Sequence, residues 1–305
     1  IDSVAGDNII NLIESGSDVT VVGRVGGDAQ FGDEITLTLN DGAVDQVFTT
    51  TVLDDMTFSV DIPFSTLTGD TDLTIVAEIT TELFGRTGTD SDAQTYSIDI
   101  DSPLTPTVTL ANNSGLITDT ITNDGTLQLG NIEAGATVEF SLDGGLSWSS
   151  AFTSIEGDLY KVPGLVEGVD DAVLNHVEIR QTDTAGNTSP EGSLDFYLDK
   201  TPPSPQVTSV TVNNGDTVNL ADANGIVSIS GTVGGDATAG DRVTVELSSG
   251  GESRSYTGLV QGDSTFSIDV VGTWLVADSD LVVEASVTSY DIAGNAGTSS
   301  LHTEA

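Results

Sequence analysis

The chain has 305 residues, which is enough for two or three domains of ordinary size. It contains 48 Asp and Glu but only 7 Lys and Arg, and this formal net charge of −41 excludes nucleic acid and anionic lipid as partners. Cysteine is absent, which excludes disulfides and thiolate zinc sites.

The composition still predicts a folded chain. Hydrophobic residues make up 37% of the sequence and recur in strand-like alternation, which disordered acidic chains lack. No apolar run approaches the roughly 18 residues of a membrane span, and no basic-then-apolar export signal is found. We therefore expect no membrane insertion, and we interpret the sequence as an internal piece of a longer protein.

Residues 1–102 form the first predicted domain. Ile35, Leu37 and Leu39 alternate with polar residues, and the same period of two recurs at residues 57–62. This period is typical of half-buried strands, with turn clusters such as Asn-Asp-Gly between them. The domain ends at an Asp-x-Asp-x-Pro segment, residues 99–103, which its proline makes extended and stiff.

Residues 103–202 form the second predicted domain. Val177 and Ile179 alternate with Glu178 and Arg180, which indicates another half-buried strand. An Asp-x-Thr-x-Pro segment at residues 199–203 repeats the first linker 100 positions later. Two such linkers predict three domains that are joined at a limited range of angles.

Residues 203–305 form the third predicted domain, which repeats the first. A shift of 208 positions aligns residues 23–62 with residues 231–270 without a gap. Both copies contain Gly-x-Val-Gly-Gly-Asp-Ala, so the two domains should share their strand pairing. About seven short strands per hundred residues predict an all-β chain of three tandem immunoglobulin-like β-sandwich domains in an elongated rod.

Several motifs carry a resemblance to a known family. They are Val-Ala-Gly-Asp-Asn at residues 4–8, Thr-Asn-Asp-Gly at 122–125, Glu-Ala-Gly-Ala at 133–136, and Asp-x-Ala-Gly-Asn at 183–187 and 291–295. Together with the proline linkers, they resemble the bacterial immunoglobulin-like repeats of giant RTX-type and biofilm-associated adhesins. The first domain departs from the family pattern, because residues 84–92 stand where an Asp-x-Ala-Gly-Asn loop is expected.

The resemblance implies a structural role at the bacterial cell surface. Such repeats form the extender region of a secreted adhesin, bind calcium at domain boundaries, and hold a ligand-binding tip away from the cell. We accordingly expect an extracellular, monomeric chain whose partners are the neighbouring immunoglobulin-like domains of the same polypeptide.

Sandwich topology predicts where calcium would bind. The loops between strands B and C and between strands F and G lie at the pole where the chain enters, so each linker should meet both loops of the following domain. Carboxylate and amide oxygens suit Ca2+ better than Mg2+, which keeps its waters. The alternative is that these loop residues are ordinary turn formers. The candidate ligands are Asp99, Asp101, Glu133, Asp183 and Asn187 at the first junction, Asp199, Asp236, Asp241, Asp291 and Asn295 at the second, and Asp28 and Asp33 in the corresponding loop of the first domain.

Catalysis is not expected. Cysteine is absent, His176 and His302 are the only histidines, and no phosphate-binding loop is found. One alternative is that a domain is itself a carbohydrate-, peptide- or surface-binding module that presents Trp148 or Trp274, although a place in a sandwich core is the preferred interpretation of each tryptophan. Another alternative is a structural repeat from a different secreted assembly.

Overall fold

The computed structural model describes residues 1–42, 44–168, 173–213, 218–278 and 280–304. Within these ranges the chain forms 25 strands and three α-helices of four or five residues each. The all-β prediction is confirmed. No helix in the described ranges is long and apolar enough to cross a membrane.

The first sandwich contains two sheets. One sheet has the order β1-β3-β6 and the other has the order β5-β4-β7-β8, while β2 pairs with β9 in parallel. The elements are β1 (Ser3–Val4), β2 (Ile9–Ile10), a 3₁₀ turn (Glu14–Gly16), β3 (Asp18–Arg24), β4 (Glu34–Leu39), β5 (Gln46–Thr51), β6 (Thr57–Pro63), α1 (Phe64–Leu67), β7 (Thr74–Leu83), β8 (Arg86–Thr95) and β9 (Ser97–Ile98).

The second sandwich has sheets of order β10-β12-β15-β14 and β11-β17-β16-β13. Its strand β11 again pairs in parallel with the last strand, β17. The elements are β10 (Thr107–Leu110), β11 (Ile121–Thr122), β12 (Thr126–Gly130), β13 (Thr137–Ser141), β14 (Thr153–Ser154), β15 (Leu159–Lys161), β16 (Leu174–Thr182) and β17 (Gly192–Leu198).

The third sandwich has sheets of order β18-β19-β22 and β21-β20-β23-β24, with β25 also pairing with β23. The elements are β18 (Pro205–Val212), α2 (Leu220–Ala223), β19 (Ile226–Gly235), β20 (Arg242–Ser249), β21 (Glu252–Leu259), β22 (Thr265–Val271), α3 (Gly272–Val276), β23 (Val283–Tyr290), β24 (Ala296–Thr298) and β25 (His302–Glu304).

The first and third sandwiches share their strand registers. Glu34 pairs with Thr51 in β4–β5. The residues 208 positions later, Arg242 and Leu259, pair with each other in β20–β21. The β3–β6 and β19–β22 ladders, and the β4–β7 and β20–β23 ladders, keep the same offset. In the second sandwich the segment that follows β13 pairs with it only through an isolated Phe140–Ser149 bridge. The predicted likeness of the first and third units is confirmed.

Each sandwich has a hydrophobic core between its own two sheets. The inward side chains of alternating strand residues fill it, because successive side chains in a strand point to opposite faces. Leu37 belongs to the first core, Phe196 to the second and Phe266 to the third, and all three are almost fully buried. Burying a side chain of this size stabilises a fold by about 1.5–3 kcal/mol.

Candidate functional site at the two junctions

The B–C and F–G loops of the second and third sandwiches lie beside the linkers that enter them. The B–C loops are residues 25–33, 131–136 and 236–241, and the F–G loops of the second and third sandwiches are residues 183–191 and 291–295. Ser204 in the second linker donates its N–H to Asp236 Oδ2 at 2.7 Å, and the Asp236 N–H returns to the Ser204 carbonyl at 3.3 Å. The loops and linkers therefore form two junctions, one on each side of the second sandwich.

Asn187 holds the first junction together. Its side chain is almost fully buried, and Nδ2 donates to the Asp99 carbonyl oxygen at 2.9 Å. Its Oδ1 accepts the N–H of Leu12 at 2.7 Å. One amide group of the second sandwich thus bonds both the departing linker and an earlier loop of the first sandwich.

Asp183 fixes the position of Asn187. Its Oδ2 accepts the Asn187 Nδ2–H at 2.9 Å, and its Oδ1 accepts the N–H groups of Ala185 and Asn187 at 2.9 and 2.8 Å. Burial raises the pKa of Asp183, but these donors outweigh it, led by the Asn187 side chain, and the pKa lies below its usual value. The carboxylate therefore stays ionised and keeps the loop closed.

The loop of the first sandwich that meets Asn187 is shaped by Asn11. Asn11 Oδ1 accepts the N–H groups of Ile13 and Glu14, and Glu14 Oε2 accepts the Asn11 N–H at 3.0 Å. This reciprocal bonding has the pattern of a capping box and shapes the segment that leads into the 3₁₀ turn Glu14–Gly16. It leaves the Leu12 N–H directed at Asn187.

Gln181 secures the entry of the linker into the second sandwich. Its side chain is fully buried, and Nε2 donates to the carbonyl oxygens of Leu104 and Asn131, both at 2.7 Å. Its Oε1 accepts the N–H of Glu133 at 2.8 Å. No motif marked this residue, since its three partners lie 48 to 77 positions away in sequence.

The second junction repeats the arrangement of the first. Asn295 Nδ2 donates to the Asp199 carbonyl oxygen at 2.9 Å and to Asp291 Oδ2 at 2.8 Å. Asp291 Oδ1 accepts the Asn295 N–H at 2.8 Å. Asp199 is fully buried, and its Oδ1 accepts the N–H of Thr201 at 2.8 Å, so the carboxylate shapes the start of the linker.

Two glycines bring the backbones together at the second junction. A Cβ on Gly115 would lie 2.0 Å from the Ile292 carbonyl oxygen, and one on Gly294 would lie 2.7 Å from the Gly115 nitrogen. Both glycines have positive φ, which disfavours other residues. Beside them Ser114 Oγ donates to the Ala293 carbonyl oxygen at 2.6 Å. Ser114 and Ala293 are 179 positions apart, and no sequence motif indicates their contact.

The structure does not join all the predicted ligands to a linker. Asp101 donates its N–H to Asp99 Oδ1 at 3.2 Å, whereas the side chain of Glu133 is exposed. Asp241 Oδ2 accepts Ser289 Oγ–H at 2.6 Å and the Thr238 N–H at 2.6 Å, so it shapes its own loop.

The first sandwich has no linker entering within the chain, yet its B–C loop keeps the hydrogen bonding of the third sandwich, whereas its F–G connection differs. Asp33 Oδ2 accepts the Gln30 N–H at 2.8 Å, and Asp28 is exposed in the same loop. Strands β7 and β8 are joined by the two-residue turn Phe84 and Gly85, both with positive φ. The departure at residues 84–92 is thus a tight hairpin that turns at Phe84 and Gly85.

The junctions supply oxygen donors of the kind that Ca2+ prefers. They offer carboxylate, amide and backbone carbonyl oxygens, and no soft ligand competes for the site. Among the described residues, however, no three His, Cys, Asp or Glu side chains are grouped so that they could hold a metal ion. A calcium ion at a junction would need backbone carbonyls or water among its six to eight ligands.

Both tryptophans stack with arginine. The Arg180 guanidinium lies 4.2 Å from the ring centre of Trp148, and the Arg254 guanidinium lies 5.1 Å from that of Trp274. Both rings are half-buried, and Trp274 packs against the third core. The faces that a ligand would use are therefore partly covered by the chain's own side chains.

No protein-family model and no curated protein matches the chain. Solved structures do. An adhesin of an Antarctic bacterium, described as Ca2+-stabilized and as binding ice, is 30% identical over 99% of this chain and 72% of its own, with a TM-score of 0.48. A structure concerned with a 1.5-MDa bacterial ice-binding adhesin is 28% identical over 99% of this chain and 95% of its own, with a TM-score of 0.43.

A bacterial immunoglobulin-like domain from the M. primoryensis ice-binding adhesin is 36% identical over 34% of this chain and 93% of its own, with a TM-score of 0.28. The fold is defined by the strand order given above, and the family by the 30% sequence identity to the Antarctic adhesin. Fold and junctions define a tandem array of immunoglobulin-like sandwiches. The chain belongs to the bacterial immunoglobulin-like repeats of large adhesins.

Proposed function

We propose that the chain is a structural extender segment of a large secreted bacterial adhesin, stiffened by calcium at its junctions. In this role it projects a ligand-binding tip from the cell surface and acts as a monomer whose contacts are with neighbouring domains. The proposal takes residues 1–102, 103–202 and 203–305 as its three domains. Each hydrophobic core falls within one of these ranges, which supports the division.

The observation that carries the proposal is a hydrogen bond that occurs at both junctions. Asn187 and Asn295 each donate Nδ2–H to the carbonyl oxygen of the linker aspartate, Asp99 or Asp199, at 2.9 Å. Each asparagine is also held by an aspartate four positions earlier. A repeated contact between a loop and a linker restricts the angle between consecutive domains, which is what an extender requires.

Calcium is proposed as the counterion of these junctions. The net charge of −41 makes the domains repel one another, and bound divalent cations relieve that repulsion. The candidate ligands are the aspartates and asparagines named above, completed by carbonyl oxygens or water. One similar structure is described as a Ca2+-stabilized adhesin, which supports the same role here.

Small-angle scattering with and without calcium tests the proposal. Strands of about ten residues at roughly 3.3 Å per residue give domains a little over 30 Å long, so three domains with linkers should span about 110–130 Å. We expect this maximum dimension in millimolar calcium, and a broader distribution of dimensions in excess chelator, before any core unfolds.

Variants identify the ligands. Asp199→Ala and Asp236→Ala should weaken the response to calcium, whereas Asp269→Ala removes the same charge from an exposed position in the middle of β22 and should leave the response unchanged. If dimensions and melting temperature were indifferent to calcium, the calcium clamp would be wrong. If the chain were compact, well short of 110 Å, the extender role itself would be wrong.

A further inference from the structure

A cavity opens between the sheets of the first sandwich, at the pole away from the first junction. Its volume is about 330 Å³, and Ile1 lies at its edge. One wall is the backbone that follows β3, at Val25, Gly26 and Gly27, and another is Gly88 in β8. The side chains of Ile79 and other core residues form its floor.

The same positions are covered in the third sandwich. Under the offset of 208, residues 25, 26 and 27 correspond to residues 233, 234 and 235. There Val233 pairs with Val207, Gly234 with Gln206, and Gly235 with Pro205, so the incoming chain forms a strand along this edge. A Cβ on Gly235 would lie 2.3 Å from the Ser204 carbonyl oxygen, which shows how closely the segment approaches.

The opposite wall of the cavity also has a glycine, at the position where the incoming segment of the third sandwich packs closely against the backbone. Gly297 pairs with Ser289 in the third sandwich, and Gly88 pairs with Thr81 in the first, so the two glycines are equivalent. A Cβ on Gly297 would lie 1.8 Å from the Pro203 carbonyl oxygen, whereas the nearest atom to one on Gly88 is Thr81 Oγ1 at 3.5 Å.

The second sandwich shows the same close approach. There a Cβ on Gly192 in the last strand would lie 2.0 Å from the Pro106 carbonyl oxygen. A proline carbonyl of the incoming segment thus packs on a glycine in both sandwiches that receive a linker.

The burial of core side chains beside the cavity differs between the first and third sandwiches. Val233 and Val287 are 6% and 0% exposed in the third sandwich, whereas the equivalent Val25 and Ile79 are only half-buried. The apolar floor of the first cavity is therefore the surface that Val207 covers in the third sandwich, where Val207 belongs to the core.

We propose that this cavity is the docking site for one extended, proline-led polypeptide segment that is continuous with Ile1. The docked segment would resemble residues 203–208. A proline carbonyl would pack against Gly88, and a β-branched side chain would cover Ile79. Ser3 pairs with Val22 in the first sandwich, and the equivalent Thr211 pairs with Ser230 in the third. Ile1 therefore occupies the position of Ser209, and the docked segment would continue directly into Ile1.

The test adds this segment to the whole chain. Residues 199–208 are fused in front of Ile1, which preserves the offset of 208, and amide exchange is measured at Gly26 and Asp28, since the Val25 N–H already donates to the Met56 carbonyl oxygen. We expect protection of these amides to rise at least tenfold, together with a higher melting temperature of the first sandwich. A control fusion carries one extra residue before Ile1, because a slip of one position turns every side chain of a strand to the other face.

Gly88→Val separates docking from general stabilisation. Without the fused segment this substitution should change the melting temperature little, since the site of its Cβ is open. In the fused chain it should remove the gain, because the valine would occupy the place of the proline carbonyl. Equal protection in the in-register and shifted fusions, or a gain that survives Gly88→Val, would overturn the proposal.

Discussion

The Nδ2 atom of Asn187 lies 2.9 Å from the carbonyl oxygen of Asp99, although the two residues are 88 positions apart and belong to different sandwiches. The same side chain accepts the Leu12 N–H. Because the Asn187 amide is buried, removing it leaves the Asp99 carbonyl and the Leu12 N–H without this hydrogen-bond partner. Such a loss lowers the free energy of unfolding by about 1–3 kcal/mol. Asn187 therefore links the two sandwiches through both of its hydrogen bonds.

Asn187→Ala should loosen the first junction. Asn175→Ala is a matched control, since Asn175 is also buried and bonds both the N–H and the carbonyl of Val166 within the second sandwich. Both variants should destabilise that sandwich by about 1–3 kcal/mol. Only Asn187→Ala should broaden the distances between spin labels on the first and second sandwiches, and equal distributions in the two variants would contradict the assigned role.

Gly115→Ala should displace the third sandwich from the second. Gly6→Ala is the control, because Gly6 also has positive φ but nothing lies within 4 Å of its Cβ position. Each substitution should cost about 1 kcal/mol or more through its backbone conformation. Only Gly115→Ala also collides with the Ile292 carbonyl, so only it should change label distances across the second junction.

Gln181→Ala should be among the most damaging substitutions in the second sandwich. It leaves two carbonyl oxygens and one N–H without a partner, and we expect a loss of about 3 kcal/mol or more. Gln128→Ala, at an exposed position of β12, should have little effect. The fluorescence of Trp148 during denaturation reports on this sandwich if Trp274 is replaced by Phe. Similar midpoints for the two variants would be inconsistent with the role of Gln181.

Low pH should open the loop that contains Asp183. Its pKa is lowered in the folded protein from an ordinary value of 3.8, so its contribution to stability is complete above that value and is lost as the pH falls through the folded pKa. The difference in free energy of unfolding between the native chain and Asp183→Asn should therefore be constant near pH 6 and shrink below about pH 4. A difference that persists at pH 2 would show that the carboxylate charge is not what closes the loop.

The sequence alone predicted the sandwiches well, because their determinants are local. Alternation at Ile35, Leu37 and Leu39 marks a strand wherever it occurs, and the offset of 208 predicted that two units would share their registers. The Asp-x-Ala-Gly-Asn loops were also recognisable, since their internal hydrogen bonds span four positions.

The partners of these loops could not be predicted in the same way. Gln181 looks like any polar strand residue, and its role appears only when Leu104 and Asn131 are brought to it. Gly115 reads as a turn glycine, yet its lack of a side chain matters because Ile292 of another sandwich packs against it. The calcium ligands, including Asp28, Asp33 and Glu133, remain predictions.

The parallel pairing of β2 with β9, and of β11 with β17, has a mechanical consequence. In each pair one strand lies near the start of its sandwich and the other at its end. Tension applied to the two ends of the chain therefore pulls the paired strands in opposite directions along their length. The hydrogen bonds between them are loaded together in shear rather than opened one by one, so these two sandwiches should keep their length under pulling until the whole pair ruptures, at a rate set by the unfolding barrier.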